Sequence, residues 1–133
     1  MKFAQIICLT LLSLSSFAQV SLTKLQVEYQ DRPFGMDESK PRFSWQMLSN
    51  SATRGDKQSA YRIQVKDEKQ NVVWDSQKVK SDISIGISYA GKALTARQTY
   101  TWKVQVWDQK NRLVSANSSF ETGLLNSGWN DAQ

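Results

Sequence analysis

Apolar and polar side chains alternate with a period of two along most of the chain, and no long stretch shows the 3.6-residue apolar period of an amphipathic helix. Phe43, Trp45 and Met47, for example, are separated by Ser44 and Gln46. Because successive side chains of a strand point to opposite faces of a sheet, such a run predicts a strand with one apolar and one polar face. The runs that predict strands cover residues 25–29, 43–47, 61–65, 72–74, 83–89 and 100–106, with a last strand around Phe120.

Segments rich in turn-forming residues separate these runs. They cover residues 32–35, 49–55, 67–71, 90–92 and 108–111. Short strands with a turn about every ten residues are typical of a β-sandwich. The longest polar segment, residues 48–59, is predicted to be a mobile surface loop. The sequence therefore predicts an all-β fold, an antiparallel β-sandwich of about seven strands.

One local pattern makes the predicted fold more specific. Leu94 precedes Tyr100 by six residues, and Tyr100 begins the most regular alternating run. A tyrosine in this place, bonded back to the preceding crossover, is the tyrosine corner of immunoglobulin-like sandwiches. We expect Leu94, Tyr100 and Trp102 to build the core together with Trp45 and Tyr61. The combination resembles the fibronectin type III fold, and the absence of a cysteine pair argues against an antibody-type domain.

The first eighteen residues have the order of parts of a secretory signal peptide. Lys2 gives the start a positive charge, residues 6–14 are mostly apolar, and Ser16 and Ala18 place small side chains before a cleavage point. The apolar run is shorter than the roughly 20 residues that a transmembrane helix needs. We predict a signal peptide over residues 1–18, a mature chain that begins at Gln19 with no membrane span, and export to the periplasm or the extracellular medium. A buried N-terminal helix or strand is the alternative interpretation.

The composition excludes the common kinds of catalytic and metal site. The chain of 133 residues has no histidine and one cysteine, Cys8, which lies in the predicted signal peptide. Histidine-based catalysis, histidine-ligated metals, thiolate zinc sites and disulfides within the chain are therefore not available. We predict no catalytic, cofactor-binding or metal-binding residue in this chain, and no cofactor.

The charged residues are spread along the chain. Seventeen basic and twelve acidic residues give a net charge of +5, and the closest basic groups are pairs such as Lys78 and Lys80. A nucleic-acid interface needs clustered positive charge, so we expect no nucleic-acid partner. Asp31, Asp37 and Glu38 share one predicted loop, but their spacing matches no calcium-binding loop, and we expect them to be solvated.

An ordered set of short motifs runs through the predicted domain. It includes Pro41-Arg42-Phe43-Ser44-Trp45, then Tyr100-x-Trp102-x-Val104-x-Val106-Trp107-Asp108, and then Phe120-Glu121-Thr122-Gly123-Leu124-Leu125. The order of these motifs resembles the N-terminal fibronectin-III-like domain of bacterial α-L-rhamnosidases, glycoside hydrolase family seventy-eight. The resemblance covers residues 22–129.

The resemblance implies a place within a larger enzyme. In that family, catalysis belongs to a later (α/α)₆ barrel that uses two carboxylates with inversion, and no residue of this chain matches it. We therefore expect residues 19–125 to be a non-catalytic accessory domain of an exported α-L-rhamnosidase that hydrolyses terminal α-L-rhamnosides. Residues 126–133 are expected to begin a linker, the chain to be a fragment, and the downstream domains of the parent enzyme to be its partners.

Two tryptophans keep other interpretations open. Trp107 is out of phase with the apolar positions of its run, and Trp129 follows the last predicted strand. Each is expected to contact either a neighbouring domain or a sugar ring. The alternative function is a stand-alone carbohydrate-binding or adhesion β-sandwich that binds rhamnose-containing glycans. A third interpretation is a translated remnant without a function of its own.

Overall fold

Seven strands in two sheets form the part of the chain that the computed structural model describes, residues 20–49 and 55–125. The smaller sheet has the order β1-β2-β5, the larger has the order β4-β3-β6-β7, and neighbouring strands are antiparallel throughout. The predicted all-β sandwich is therefore confirmed. The strands are β1 (Val20–Val27), β2 (Arg42–Ser49), β3 (Gln58–Lys66), β4 (Val72–Asp75), β5 (Ile87–Ser88), β6 (Thr99–Asp108) and β7 (Leu113–Glu121).

The core lies between the inner faces of the two sheets. On β6, and on β3 from Tyr61 onward, the buried positions alternate with half-buried or exposed ones, as the apolar periodicity predicts. Phe43 of β2 is the centre of an aromatic cluster, with ring centroids 4.8 Å from Trp102, 5.7 Å from Trp74 and 5.9 Å from Phe120. Offset and edge-to-face arrangements at these distances are favourable for aromatic pairs. The two sheets are therefore joined by rings contributed by β2, β4, β6 and β7.

In each of the two tight hairpins of the larger sheet, an aspartate side chain accepts hydrogen bonds from backbone nitrogens of the turn. Asp67, before β4, accepts hydrogen bonds from the backbone nitrogens of Lys69 and Asn71, both at 2.9 Å. Asp108, at the end of β6, accepts from the backbone nitrogens of Lys110 at 2.9 Å and Arg112 at 2.8 Å. Aspartate is common at such turn positions because its carboxylate can accept hydrogen bonds from backbone nitrogens further along the turn. The predicted turns at residues 67–71 and 108–111 are confirmed.

The predicted strand over residues 83–89 is mostly wrong. Only Ile87–Ser88 forms a strand, and the side chains of Ile83 and Ile85 are 57% and 63% exposed. Gly86 has a φ of 72°, which interrupts the extended backbone that an alternating run needs. The preceding residues still follow the edge of β2, because the Trp45 nitrogen donates to the Ser84 carbonyl at 3.0 Å. The period-two pattern here reflects an irregular edge segment, with two isoleucines turned to solvent.

Two other predictions are corrected at the ends of strands. β1 begins at Val20 and ends at Val27, and Tyr29 lies beyond it in a turn with a φ of 62°. Its exposed ring lies under the Arg42 guanidinium, whose central carbon is 5.1 Å from the ring centroid. The polar segment predicted over residues 48–59 is shortened by strands at both ends, since β2 reaches Ser49 and β3 begins at Gln58.

None of the described residues forms a helix of the length and apolarity needed to cross a membrane.

Candidate functional site

Four of the five residues predicted for the core are fully enclosed, and the fifth lies at its margin. Trp45, Tyr61, Tyr100 and Trp102 are buried, and Leu94 is half-buried against the same cluster. The Tyr100 hydroxyl accepts a hydrogen bond from the backbone nitrogen of Thr95 at 2.8 Å. The tyrosine corner is therefore present, and it holds the crossover before β6 against the end of that strand.

Trp107 lies on the outer face of the larger sheet. Its backbone pairs with Ala60 of β3 on one side and Leu113 of β7 on the other, and its side chain is half-buried. The Lys78 ammonium lies 4.4 Å from the centroid of its ring. A cation over an aromatic face is favourable, and it occupies one face that a stacked sugar would need. Trp129, the second candidate for a sugar or interdomain contact, lies outside the described residues.

The acidic residues of the first loop have structural bonds of their own. Asp31 accepts from the Gln26 amide at 3.2 Å, and Asp37 accepts from the Leu125 backbone nitrogen at 3.3 Å. Glu38 accepts from the Lys40 backbone nitrogen at 3.2 Å. Across residues 20–49 and 55–125, no three acidic, histidine or cysteine side chains approach closely enough to hold a metal ion.

Arg62 and Asp75 form an ion pair with two hydrogen bonds on the larger sheet. Two guanidinium nitrogens of Arg62 donate to the two carboxylate oxygens of Asp75, at 2.9 and 2.6 Å. The Gln64 amide and the Gln77 backbone nitrogen donate to the same carboxylate at 3.0 and 2.9 Å. The hydrogen bonds from Arg62, followed by those from Gln64 and Gln77, hold the pKa of Asp75 well below its ordinary value despite partial burial.

This lowered pKa predicts a loss of stability in acid. A carboxyl whose pKa is depressed by folding stabilises the folded state fully above its unfolded pKa of about 4, and this contribution is lost as the pH falls towards the folded pKa. Arg62→Gln should lower the free energy of unfolding at pH 7 by no more than about 1 kcal/mol, because the pair is partly exposed. Urea unfolding at pH 7 and pH 3 should show this difference shrink in acid. A difference that is the same at both pH values would contradict the assignment.

A polar groove of about 490 Å³ crosses the outer face of the larger sheet. Cations, amides and hydroxyls line it, among them Arg32, Lys66 and Lys103, Gln64, Gln70 and Asn117, and Thr101, Ser118 and Ser119. Within the described part of the chain, no carboxylate is among the lining residues and none of the three cations forms an ion pair. The strand registers bring together Lys66 with Thr101, Gln64 with Lys103, and Lys103 with Asn117. Sequence reasoning missed this groove because its residues come from four separate segments.

A second groove, called here the terminal groove, lies where the described chain ends. It has a volume of about 590 Å³ and is lined by Ser39, Lys40, Tyr89, Ala90, Gly91, Ala93, Leu94 and Leu125. Its walls are mainly apolar, and its last lining residue, Leu125, is the last described residue of the chain. At the same end of the sandwich the side chain of Phe34 is 84% exposed, and Leu124 is also exposed. This end therefore carries apolar surface at the point where the chain leaves the sandwich.

The backbone fixes the position of this end. Met36 and Thr122 form a parallel bridge, and the Gly123 nitrogen donates to the Met36 carbonyl at 2.7 Å. The Arg97 nitrogen donates to the Gly123 carbonyl at 3.0 Å. A Cβ on Gly123 would lie 2.7 Å from the Gly35 carbonyl oxygen, so only glycine fits between these segments. The motif Thr122-Gly123-Leu124-Leu125 is therefore held in place before the chain continues.

Comparison with known proteins places this fold in an enzyme family. Residues 22–126 match a family model described as the Rha78A-like, N-terminal immunoglobulin domain. A curated α-L-rhamnosidase from Streptomyces avermitilis is 44% identical over 110 residues, which is 78% of this chain and 10% of the relative. An α-L-rhamnosidase from Formosa agariphila is 36% identical over 119 residues, 83% of this chain and 12% of the relative.

Solved structures give the same result. The crystal structure of the Streptomyces avermitilis α-L-rhamnosidase complexed with L-rhamnose superposes with a TM-score of 0.74 and 42% identity, over 84% of this chain and 11% of that one. The α-L-rhamnosidase from Dictyoglumus thermophilum gives a TM-score of 0.71 and 36% identity, over 80% of this chain and 12% of that one. The chain thus spans about a tenth of the length of these relatives. It belongs to the family of Rha78A-like, N-terminal immunoglobulin domains of α-L-rhamnosidases.

Proposed function

We propose that this domain is a non-catalytic accessory domain of an exported α-L-rhamnosidase, in which it braces the domains that follow it. The observation that carries the proposal is the match of residues 22–126 to the N-terminal immunoglobulin domain of this family. The hydrolysis of terminal α-L-rhamnosides is ascribed to the parent protein, by analogy with relatives that are named α-L-rhamnosidases.

The bracing role is supported by the end of the sandwich at which the chain exits. Phe34 and Leu124 expose apolar surface there, beside the terminal groove. Exposed apolar surface rimmed by polar residues is typical of an interaction surface. Because the chain continues from this end, the following domain is the partner that can reach it at the highest effective concentration.

The catalytic part of the proposal is tested by assaying the 133-residue chain alone. With a nitrophenyl α-L-rhamnoside as substrate, the chain should release no nitrophenol above the buffer rate, whereas the Streptomyces avermitilis enzyme serves as the active control. Release of nitrophenol that co-elutes with the folded chain and persists after further purification would contradict the proposal.

Export is proposed from residues 1–18, which have the positive, apolar and small-residue parts of a signal peptide. Expression of the full chain in a bacterial host, followed by fractionation and mass spectrometry, should find a protein outside the cytoplasm that begins at Gln19. A protein that stays in the cytoplasm with Met1 or Lys2 at its start would contradict export.

The polar groove favours a second candidate function, the binding of an acidic saccharide. Its three cations have no carboxylate beside them among the described lining residues, and its amides and hydroxyls are suited to the hydroxyl groups of a sugar. In contrast, the Trp107 ring already has the Lys78 ammonium over one face. A saccharide module built on this domain would therefore bind through the polar groove rather than through Trp107.

Nuclear magnetic resonance titrations test this second function. Rhamnose-containing oligosaccharides, with and without a uronic acid, should shift the amide signals of Lys66, Lys103 and Asn117, and more strongly in the acidic series. Lys103→Glu should abolish the shifts, while Lys110→Glu, an exposed lysine in the β6–β7 turn, should keep them. Spectra that stay unchanged with both series would exclude the groove as a saccharide site.

A further inference from the structure

We propose that the polar groove is one half of a longer trough, which binds an extended chain of acidic saccharide across the edge of the larger sheet. The other half, called here the edge cleft, has a volume of about 590 Å³. Its lining includes Lys24 and Leu25 of β1, Asp31 and Arg32 of the following loop, and Asn117 and Ser118 of β7. The proposal rests on the second candidate function above and goes further, because it assigns the length and the charge of the ligand.

The polar groove and the edge cleft are continuous. Arg32, Asn117 and Ser118 line both of them. Among the described strands, β7 is the outermost of the larger sheet, and β1 on the other side of the edge cleft belongs to the smaller sheet. A ligand on the outer face of the larger sheet can therefore pass over β7 into the edge cleft without crossing another strand.

The outer face presents its polar side chains in two rows that cross three strands. The strand registers align Lys66, Thr101 and Ser119 in one row, and Gln64, Lys103 and Asn117 in the other. Neighbouring strands are about 4.8 Å apart, so each row extends for about 10 Å from β3 to β7. This path is longer than one sugar ring, and the edge cleft lengthens it further.

Most of these side chains form no bond within the domain. Among the residues that the structure describes, no ion pair or hydrogen bond engages the side chains of Lys66, Lys103 or Asn117. In contrast, the Gln58 and Gln109 amides elsewhere in the domain donate to backbone carbonyls at 3.0 Å. A polar side chain without a partner in the protein keeps its full capacity for the hydroxyl and carboxylate groups of a ligand.

The backbone positions two cations at the edge cleft. Lys24 has a φ of 49° and lies in a bulge where two residues of β1 oppose one of β2, and such a bulge redirects a side chain. Arg32 also has a left-handed backbone, with a φ of 43°. The next residue, Pro33, fixes this loop to the end of β7, because its carbonyl accepts from the Glu121 nitrogen at 2.9 Å. Both cations are therefore attached to backbone that the fold holds in place.

The distribution of charge favours a ligand with more than one negative group. Lys66 and Lys103 line the polar groove, and Lys24 and Arg32 line the edge cleft. Asp31 is the one carboxylate among the described lining residues, and it already accepts from an amide side chain of β1 at 3.2 Å. A chain with charges on separate sugar units can reach both pairs of cations at once, which raises its affinity as in multivalent binding.

Calorimetric titration of the 133-residue chain tests the proposal. The probes are oligosaccharides of alternating rhamnose and galacturonic acid, one and three repeats long, each also prepared as the neutral methyl ester. The acid with three repeats should bind at least about tenfold more tightly than the acid with one repeat, because it can engage both pairs of cations. The methyl esters should bind more weakly than the acids at both lengths.

Lys24→Gln distinguishes the trough from the polar groove alone. It should weaken the binding of the acid with three repeats roughly fivefold, the effect of losing one exposed ion pair. It should affect the acid with one repeat less, because a short ligand can bind in the polar groove. Lys110→Gln is the matched control, since Lys110 is equally exposed but lies in the β6–β7 turn, and it should change neither affinity.

Amide signals in nuclear magnetic resonance spectra locate the ligand. The acid with three repeats should shift the signals of Lys103 and Asn117 in the polar groove and those of Lys24 and Leu25 in the edge cleft. If only Lys103 and Asn117 respond, the polar groove still binds saccharide and the trough is overturned. If no signal responds, both are overturned. An oligoglutamate of equal charge that binds as tightly would overturn the assignment to a saccharide. None of these results bears on the accessory role.

Discussion

Phe43→Ala is expected to lower the free energy of unfolding by about 3–5 kcal/mol, the range for removing a buried aromatic ring from a core. Phe43 is fully buried, and its ring contacts the rings of Trp74, Trp102 and Phe120. Its loss leaves a cavity between the two sheets that neighbouring rigid rings cannot fill. Because a domain of this size is stable by only about 5–15 kcal/mol, the variant should be at the limit of folding at 37 °C. Urea unfolding followed by tryptophan fluorescence measures the change.

Phe34→Ala is the matched control for this prediction. The same side chain is removed, but Phe34 is 84% exposed, so the free energy of unfolding should change by no more than about 0.5 kcal/mol. Equal losses in the two variants would mean that Phe43 is not at the centre of the core. A large loss in Phe34→Ala alone would mean that Phe34 is covered within the 133-residue chain.

Asp108→Ala is expected to lower the free energy of unfolding by about 2–3 kcal/mol. The carboxylate is 1% exposed and accepts bonds from the backbone nitrogens of Lys110 and Arg112, and from the Arg112 side chain at 2.6 Å. Removing it takes the acceptor from two backbone donors and one cation at the hairpin between β6 and β7. Part of this cost is offset by water, because the turn and Arg112 are partly exposed. Asp108→Asn should lose less, since its amide oxygen can still accept.

Asp67→Ala tests whether burial decides the size of the effect. Asp67 makes the same bonds to the backbone nitrogens two and four residues further on, but without a partner such as Arg112 and with more exposure to solvent. Chemical unfolding should therefore show a clearly smaller loss for Asp67→Ala than for Asp108→Ala. Equal losses would show that the turn geometry alone, and not the burial of Asp108 or its bond to Arg112, provides the stability.

The sequence was sufficient to predict the fold because the inner positions of β2, β3 and β6 carry large apolar residues at strict period two. Phe43, Trp45 and Trp102 face the core as this periodicity requires. The turns were equally predictable, because Asp67 and Asp108 carry the side-chain acceptor that such hairpins need.

The same periodicity misled the prediction where the chain is irregular. Ile83, Ile85 and Ile87 alternate with polar residues, yet Gly86 interrupts the strand, and the first two side chains are exposed. An alternating pattern indicates which residues could share a face of a strand, but it does not predict a local backbone angle such as the positive φ of Gly86. The strand around Phe120 was found only in part, because the smaller residues of β7 before it give a weak apolar signal.

The surfaces that bear on function could be predicted least. Trp107 was singled out by its phase, but the Lys78 ammonium over its ring depends on a loop distant in sequence. Both grooves are assembled from segments up to 87 positions apart, such as Arg32 with Ser119. Side chains brought together over such separations leave no short motif in one sequence. The family resemblance over residues 22–129, which the family model matches over residues 22–126, gave the functional context that composition and periodicity could not.

The accessory role is tested most directly by exchanging domains in the Streptomyces avermitilis α-L-rhamnosidase, with which this chain shares 44% identity over 110 residues. Three proteins are compared for hydrolysis of a nitrophenyl α-L-rhamnoside and for the rate of thermal inactivation. They are the intact enzyme, the enzyme without its N-terminal domain, and the enzyme with that domain replaced by residues 22–125 of this chain. The account predicts that deletion speeds inactivation and that the replacement restores much of the lost stability, with the turnover of surviving enzyme unchanged. If the deleted enzyme is as stable and active as the intact one, the domain does not brace the enzyme and the account is contradicted.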